Sequence, residues 1–342
     1  MPMIEPPQLA DLQELVEAAA ALPGVTVRTV CRTFVGPRAF PVHAIAFGNP
    51  SPEVPAAGVF GGVHGLERVG ADVVLGYLRN VLNRLPWDTL LQRQLEGMRL
   101  VFMPIVNPGG LWLGTRANPH GVDLMRNAPI EADTPLPTLL AGQRLSAWLP
   151  WYRGEAGAPM EAESRALCEV VETELLPHRV SLAVDCHSGF GVRDRVWFPY
   201  AHTARPIEHL PELHAFARVL DQGHPHHRYI VEPQAHQYLA NGDLWDHLYA
   251  GAAARADRLF LPLTLEMGSW LWVRKNPRQF LSRHGFFNPL IQHRLERALR
   301  RHIAWLDFVA RAVYSHARWL PRGTTRDWHR RRALATWYRP RR

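Results

Sequence analysis

A chain of 342 residues, 47% hydrophobic and 20% charged, has the composition of an ordinary globular protein and enough length to bury one large core. No apolar stretch approaches the ~20 residues needed to cross a bilayer. The N-terminus MPMIEPPQ has no basic region followed by an apolar core, so the expectation is a cytoplasmic protein without a membrane span. The net charge of +8 is concentrated: the segment from Pro321 onward holds eight Arg and one Asp, which leaves +1 for the other 320 residues. Nucleic-acid binding needs a basic footprint on the fold itself and is not expected here. Residues 321–342 read instead as a basic tail, solvated or packed back with Trp328, Trp337 and Tyr338 covering the domain. The three cysteines, Cys31, Cys168 and Cys186, show no CxxC spacing, which argues against a disulfide framework or a cysteine metal site.

In chain order, residues 8–22 predict a helix with Leu9, Leu12, Leu15, Val16 and Ala19 on one face. TVRTVCRTF and VHAIAF predict strands. AAGVFGG predicts a buried strand, followed by a helix in which Val69, Val73, Val74, Tyr77, Leu78, Val81 and Leu82 recur at helical spacing. MRLVFMPIVNP predicts another buried strand, 161–176 a helix, RVSLAVD a strand, 207–221 a helix, RLFLPLTLEM a strand, and 290–315 a long closing helix. Strands alternating with helices, most of them continuously apolar, predict an α/β fold with a mixed, largely parallel central sheet and helices on both faces. Residues 1–320 form one domain in this reading. A Pro/Gly-rich loop at 128–160 and a His-rich stretch at 221–238 interrupt the pattern, and long loops of this kind often carry function.

The chemistry gathers where apolar runs end. His64 and Glu67 follow AAGVF in GGVHGLERVGAD, Asn107 closes the next run, His187 closes SLAVD, and Glu266 closes LFLPLTL. Ligands of open α/β sheets bind at the carboxyl ends of the strands. Two His and one Glu so delivered form a three-ligand set for one catalytic Zn2+ per chain, with the fourth position open. Glu266 is placed to act as the general base beside that ion. Asp185, two residues before His187, shares its strand face and either orients the site or forms a surface salt bridge.

Between the first and third ligands lies NPGGLWLGTRANPHGVDLMRN. Together with HGLE, DCHSG and TLEMG, in that chain order over roughly residues 55–270, it resembles the M14 zinc carboxypeptidase family in its compact bacterial form, related to the aspartoacylase and succinylglutamate desuccinylase branch. The resemblance implies a zinc carboxypeptidase-like fold and an amide hydrolase. It implies that His64, Glu67 and His187 hold zinc, that Glu266 activates the attacking water, and that Arg116 in GTRAN stabilises the oxyanion. It further implies that Arg126 in DLMRN clamps a terminal carboxylate, that Asp123 hydrogen-bonds a ligand histidine, and that Tyr238 closes over substrate. Asn107 and Met125 complete the substrate-binding set. Met125 departs from the pattern, which carries asparagine there and uses its amide on the same carboxylate.

The leading expectation is a zinc metallopeptidase that cleaves an amide next to a free carboxylate in a peptide or peptide-like substrate. An N-acyl amino acid deacylase is the alternative within enzymes, and a non-catalytic binding protein on a peptidase scaffold the alternative outside them. The substrate is accordingly a peptide or an acyl-amino acid, and the oligomeric state stays open. His224, His226 and His227 form a cluster that reads as solvated rather than as a second metal site. Arg193 and Arg195 could meet an acidic side chain, or simply form a charged surface strand.

Overall fold

The computed structural model describes residues 5–137, 139, 141–255, 257–282 and 284–339. Its strands are β1 (Thr26–Val35), β2 (Arg38–Gly48), β3 (Ala56–Gly61), β4 (Arg99–Met103), β5 (Val180–Ser188), β6 (Arg195–Phe198), β7 (Ile230–Pro233) and β8 (Leu259–Met267). They form one sheet in the order β1-β2-β4-β3-β5-β8-β6-β7. The central run β4-β3-β5-β8 is parallel throughout, while β1, β2 and β6 join antiparallel toward the edges. All six residues of β3 are buried, as expected of a strand covered on both faces. The helices are α1 (Pro7–Ala20), α2 (Arg68–Arg84), α3 (Thr89–Glu96), α4 (Pro108–Leu113), α5 (Ala162–Glu174), α6 (Leu210–Gly223), α7 (Leu244–Ala253), α8 (Trp270–Lys275), α9 (Gln292–Tyr314) and α10 (Gly323–Trp337).

Both layers are visible from β3 alone, because positions three apart on a strand face opposite ways. Gly58 faces Leu175 at the end of α5, and Gly61 faces Val74 of α2. α2 buries Val69, Val73, Val74, Tyr77, Leu78, Val81 and Leu82, the periodic set read from sequence. Gly70 lets this helix pass over the end of β5: a Cβ there would meet the Cys186 carbonyl oxygen at 2.3 Å. The mixed, largely parallel sheet with helices on both faces is the architecture expected from sequence.

Several elements differ from the sequence expectation. The strand expected over 98–108 spans only Arg99–Met103, and Asn107 instead caps α4 by accepting from Gly110 N at 2.7 Å. β6 begins at Arg195, where a charged surface strand was one of the two expectations, whereas β7 and the helices α3, α7 and α8 had no counterpart in the sequence expectation. Most of the basic C-terminal segment forms α10, which lies along α6 with Ala333 and Trp337 buried; 340–342 lie outside the described residues. Trp337 Nε1 donates to the Val231 carbonyl at 2.8 Å, and Arg326 pairs with Glu212. The long loop after residue 128 is held by buried Arg153, which donates to the carbonyls of Arg126, Ala128 and Ile130. Among the described residues, no helix is long and apolar enough to cross a membrane.

Candidate active site

Three neighbouring parallel strands deliver the central groups. β3 ends in the turn that carries His64 and Glu67 into α2, and His187 lies on β5 directly beside Glu266 on β8. His64 Nδ1 lies 2.9 Å from Glu67 Oε1, His187 Nδ1 lies 3.2 Å from Glu67 Oε2, and the two Nδ1 atoms are 3.2 Å apart. All three side chains are buried, and their ligand atoms fall within 4.8 Å of one another. The opposite ring nitrogens are each spoken for. His64 Nε2 meets Asp123 Oδ1 at 3.1 Å, and His187 Nε2 meets Asp185 Oδ2 at 2.7 Å. A carboxylate on Nε2 keeps the proton there and turns the Nδ1 lone pair inward. Two inward lone pairs and a carboxylate need a cation between them, and the N, N, O donor set suits zinc.

The same carboxylates that orient the rings set the charges of the site. Burial alone would raise the pKa of Glu67, but His64 and His187 hold it below the usual carboxylate range. Burial opposes a charged His187, yet Asp185 and Glu67 push its pKa well above the ordinary histidine value. Burial and then the charge of Glu67 push Glu266 up to about 8, against the pull of His187 and Arg116. One oxygen of Glu266, Oε1, accepts from Phe190 N at 3.0 Å.

Arg116 donates from Nε to Asp123 Oδ2 (2.8 Å) and from Nη1 to Glu67 Oε1 (3.1 Å), with 27% of its side chain exposed. Asp123 thereby joins His64 to Arg116. Burial works against its charge, but Arg116 and His64 hold its pKa well below normal. Arg126 is buried and donates to Asp243 Oδ2 (3.0 Å) and to the Tyr238 hydroxyl (3.3 Å). The Tyr238 ring sits 5.8 Å from Trp197 and 6.1 Å from Phe190. Met125 is only 5% exposed and belongs to the hydrophobic core. Asn107 is fully buried with both ends of its amide on backbone, Oδ1 on Gly110 N and Nδ2 on the Val63 carbonyl.

Of the residues singled out from sequence, the structure brings together His64, Glu67, His187, Glu266, Arg116, Asp123 and Asp185, with Arg126 and Tyr238 as a second linked pair. His227 pairs with Asp221, and among the described residues the only group arranged to hold a metal is His64, Glu67 and His187. Sequence reading missed Trp245, whose Nε1 donates to Asp185 Oδ2 at 2.9 Å, and Asp243, which caps α7 through Oδ1 while holding Arg126 through Oδ2. The motif NGD before an apolar helical stretch was the available signal for Asp243 as a cap. Nothing local marks Trp245.

A family model described as zinc carboxypeptidase matches residues 13–276. Carboxypeptidase SOL1 of Arabidopsis thaliana is 33% identical over 93 residues, a match that takes in 26% of this chain and 19% of that protein. The structure of bovine thrombin-activatable fibrinolysis inhibitor in complex with tick carboxypeptidase inhibitor superposes with a TM-score of 0.66 at 16% identity, over 90% of this chain and 97% of that one. Carboxypeptidase A from Helicoverpa armigera superposes with a TM-score of 0.57 at 18% identity, over 85% and 71%. At those identities the structural likeness is one of fold.

Proposed function

The chain belongs to the zinc carboxypeptidase family, and on that premise we propose that it releases the terminal residue of a peptide or peptide-like substrate ending in a free carboxylate. The observation that carries this reading is the buried convergence of His64, Glu67 and His187, with Glu266 on the neighbouring strand.

His64 and His187 through Nδ1, and Glu67 through its carboxylate, would hold the ion. Zinc bound there supplies a Lewis acid that polarises the scissile carbonyl and lowers the pKa of water to about 7. Glu266 has Oε2 free while Phe190 N holds Oε1, so Oε2 takes the proton of the attacking water and later gives it to the departing amine. A cation held by these ligands would offset the repulsion between Glu67 and Glu266 that, after burial, raises Glu266. Arg116 spends Nε and Nη1 on Asp123 and Glu67, which fixes its plane and leaves Nη2 to donate to the developing oxyanion. Arg126 receives the terminal carboxylate, and Asp243 and Tyr238 set its guanidinium in place. Asn107 acts at one remove, holding the backbone at Val63 beside His64.

An N-acyl amino acid deacylase would use the same groups, and the family match favours the peptide reading over it. A non-catalytic scaffold has no evident reason to keep Glu266 beside an intact ligand set. The test is hydrolysis of a panel of acyl-amino acids and acyl-dipeptides by the zinc-loaded protein, with Glu266→Gln as control. Cleavage of the dipeptides, lost in the control, supports the proposal. Cleavage of acyl-amino acids alone would replace it with the deacylase.

A further inference from the structure

The segments that leave the two central strands continue past the reaction centre as a single wall. After His187 the chain passes through Phe190 and Arg193 into β6, and after Glu266 it passes through Gly268 into α8. The two paths are stitched together. Trp270 N donates to the Gly191 carbonyl at 3.0 Å, Trp270 Nε1 to the Gly189 carbonyl at 2.8 Å, and Gly268 N to Asp194 Oδ1 at 3.0 Å. Gly268 lies so close that a Cβ there would meet Arg193 N at 2.6 Å. Phe190, whose amide holds Glu266, packs its ring 5.5 Å from that of Trp270.

Beyond this seam the wall borders a hollow of about 590 Å³. Arg193 and Arg274 line it from the two stitched segments, and Arg228 and Arg301 line it from the opposite side. His227, Arg228, Tyr229 and Arg301 also line a second, more apolar recess of about 430 Å³ that includes Leu220 and Trp305. The one carboxylate in the larger hollow, Asp194, is consumed by Gly268 N and Arg301. Among the described residues Arg193, Arg228 and Arg274 pair with no carboxylate; Arg32, Arg93 and Arg218 elsewhere on the domain also lack one, and what sets these three apart is that they line one concavity. The 320 residues before the C-terminal segment carry a net charge of only +1, so three uncompensated cations around one concavity are a local concentration. Low-dielectric walls focus such a field on whatever enters.

We propose that this hollow is an exosite for the substrate, binding acidic residues of the peptide upstream of the scissile bond. The inference rests on the peptidase reading. A peptide fits better than a nucleic acid because the hollow shares its wall with the loops that flank Glu266. An anion held there can belong to the same molecule as the bond being cut. The apolar recess suits a hydrophobic residue next to the acidic ones.

The test uses acyl-peptides with identical last two residues and, upstream, either two Asp, two Asn or two Lys, together with the bare acyl-dipeptide. The Asp peptide is expected to have a kcat/KM about tenfold above the Asn peptide in roughly 20 mM salt, carried by KM, and to lose most of that advantage at roughly 300 mM. The Arg228→Ser/Arg274→Ser double variant, altered only at exposed positions, should cut the bare dipeptide at the parent rate and show no preference for Asp. Equal rates on Asp and Asn peptides, or a preference that survives in the double variant, would overturn the exosite. The bare dipeptide reports on the peptidase reading by itself. If it is not cut, binding of labelled Asp and Asn peptides to zinc-loaded parent and double variant decides. Tighter binding of the Asp peptide, lost in the variant, supports the exosite, and equal binding overturns it. A single-stranded oligonucleotide that displaces the Asp peptide and binds more tightly would overturn the peptide as occupant.

Discussion

Two imidazole nitrogens facing each other at 3.2 Å across a buried carboxylate are a poor arrangement for an empty pocket and a good one for a cation. The arrangement is kept by Asp123 and Asp185, which hold the far side of each ring. His187→Ala should therefore abolish stoichiometric zinc binding. Asp185→Asn, which keeps shape but weakens the hold on the tautomer, should lower zinc affinity by about 10–100-fold. Competition against a chromogenic chelator measures both. Full affinity in Asp185→Asn would mean that the ring is positioned by packing alone. Met125 directly precedes Arg126 in the chain. It occupies the place where the family pattern has asparagine and is packed into the core. Met125→Asn should gain a donor to the terminal carboxylate and raise kcat/KM on acyl-dipeptides by about tenfold, equivalent to ~1.4 kcal/mol. It should also lower thermal stability, because an amide buried without full pairing costs about 1–3 kcal/mol. A loss of stability with no gain in rate would show that the side chain at 125 does not reach substrate. The central residues were legible because each ends an apolar run, and Asp185 because it shares a strand face with His187. Trp245 and Asp243 were not, since what links them to His187 and Arg126 is the docking of α7, a tertiary fact without a local pattern.

At the scale of elements, the long buried strands and α2 were readable from periodicity. The four-residue strands β6 and β7 are too short to show one. α10 escaped for a different reason. Only Ala333 and Trp337 of its fifteen residues are buried, so it carries almost no apolar stripe, and its arginines read as a tail. Its docking is nonetheless specific, with His329 Nδ1 2.8 Å from His214 Nδ1 of α6 and the Trp337 indole donating to the Val231 carbonyl of β7. Truncation after Leu320 should lower the melting temperature clearly, since loss of the buried Trp337 alone is worth about 3 kcal/mol. Zinc content and turnover at low temperature should persist, because α10 contributes no group to the site. An unchanged melting temperature would show that the helix is only laid on the surface.

α9 supplies a pH-dependent contact. His302 is 1% exposed, with Nδ1 3.0 Å from the Tyr229 hydroxyl. Burial, with Arg301 adding to it and Asp194 opposing, lowers its pKa from 6.5 to about 4. The fold therefore favours the neutral ring. Its contribution is fully present above pH 6.5 and is lost as the pH falls from there toward 4. Melting curves should show a fall in stability between pH 7 and pH 4.5 that is smaller in His302→Gln. Parallel pH profiles for parent and variant would contradict this.

For the molecule as a whole, the sheet order decides function. β3, β5 and β8 stand side by side and parallel, so three segments far apart in sequence end at one rim. Sequence could suggest that strand ends meet, but not which strands are neighbours, and the adjacency of His187 and Glu266 follows only from that order. The charge distribution is likewise a property of the whole. In a domain that is nearly neutral before residue 321, Arg193, Arg228 and Arg274 line one hollow, and the most basic segment is folded into a helix over α6. The most direct test of the central claim compares one acyl-peptide ending in a free carboxylate with the same peptide ending in an amide. Release of the terminal residue is followed by mass spectrometry with the zinc-loaded protein and with Glu266→Gln. Release is expected from the acid, at least about 100-fold less from the amide, and a loss of about 10²–10⁴ in Glu266→Gln with zinc retained. Equal release from acid and amide, or undiminished release by Glu266→Gln, would contradict the claim.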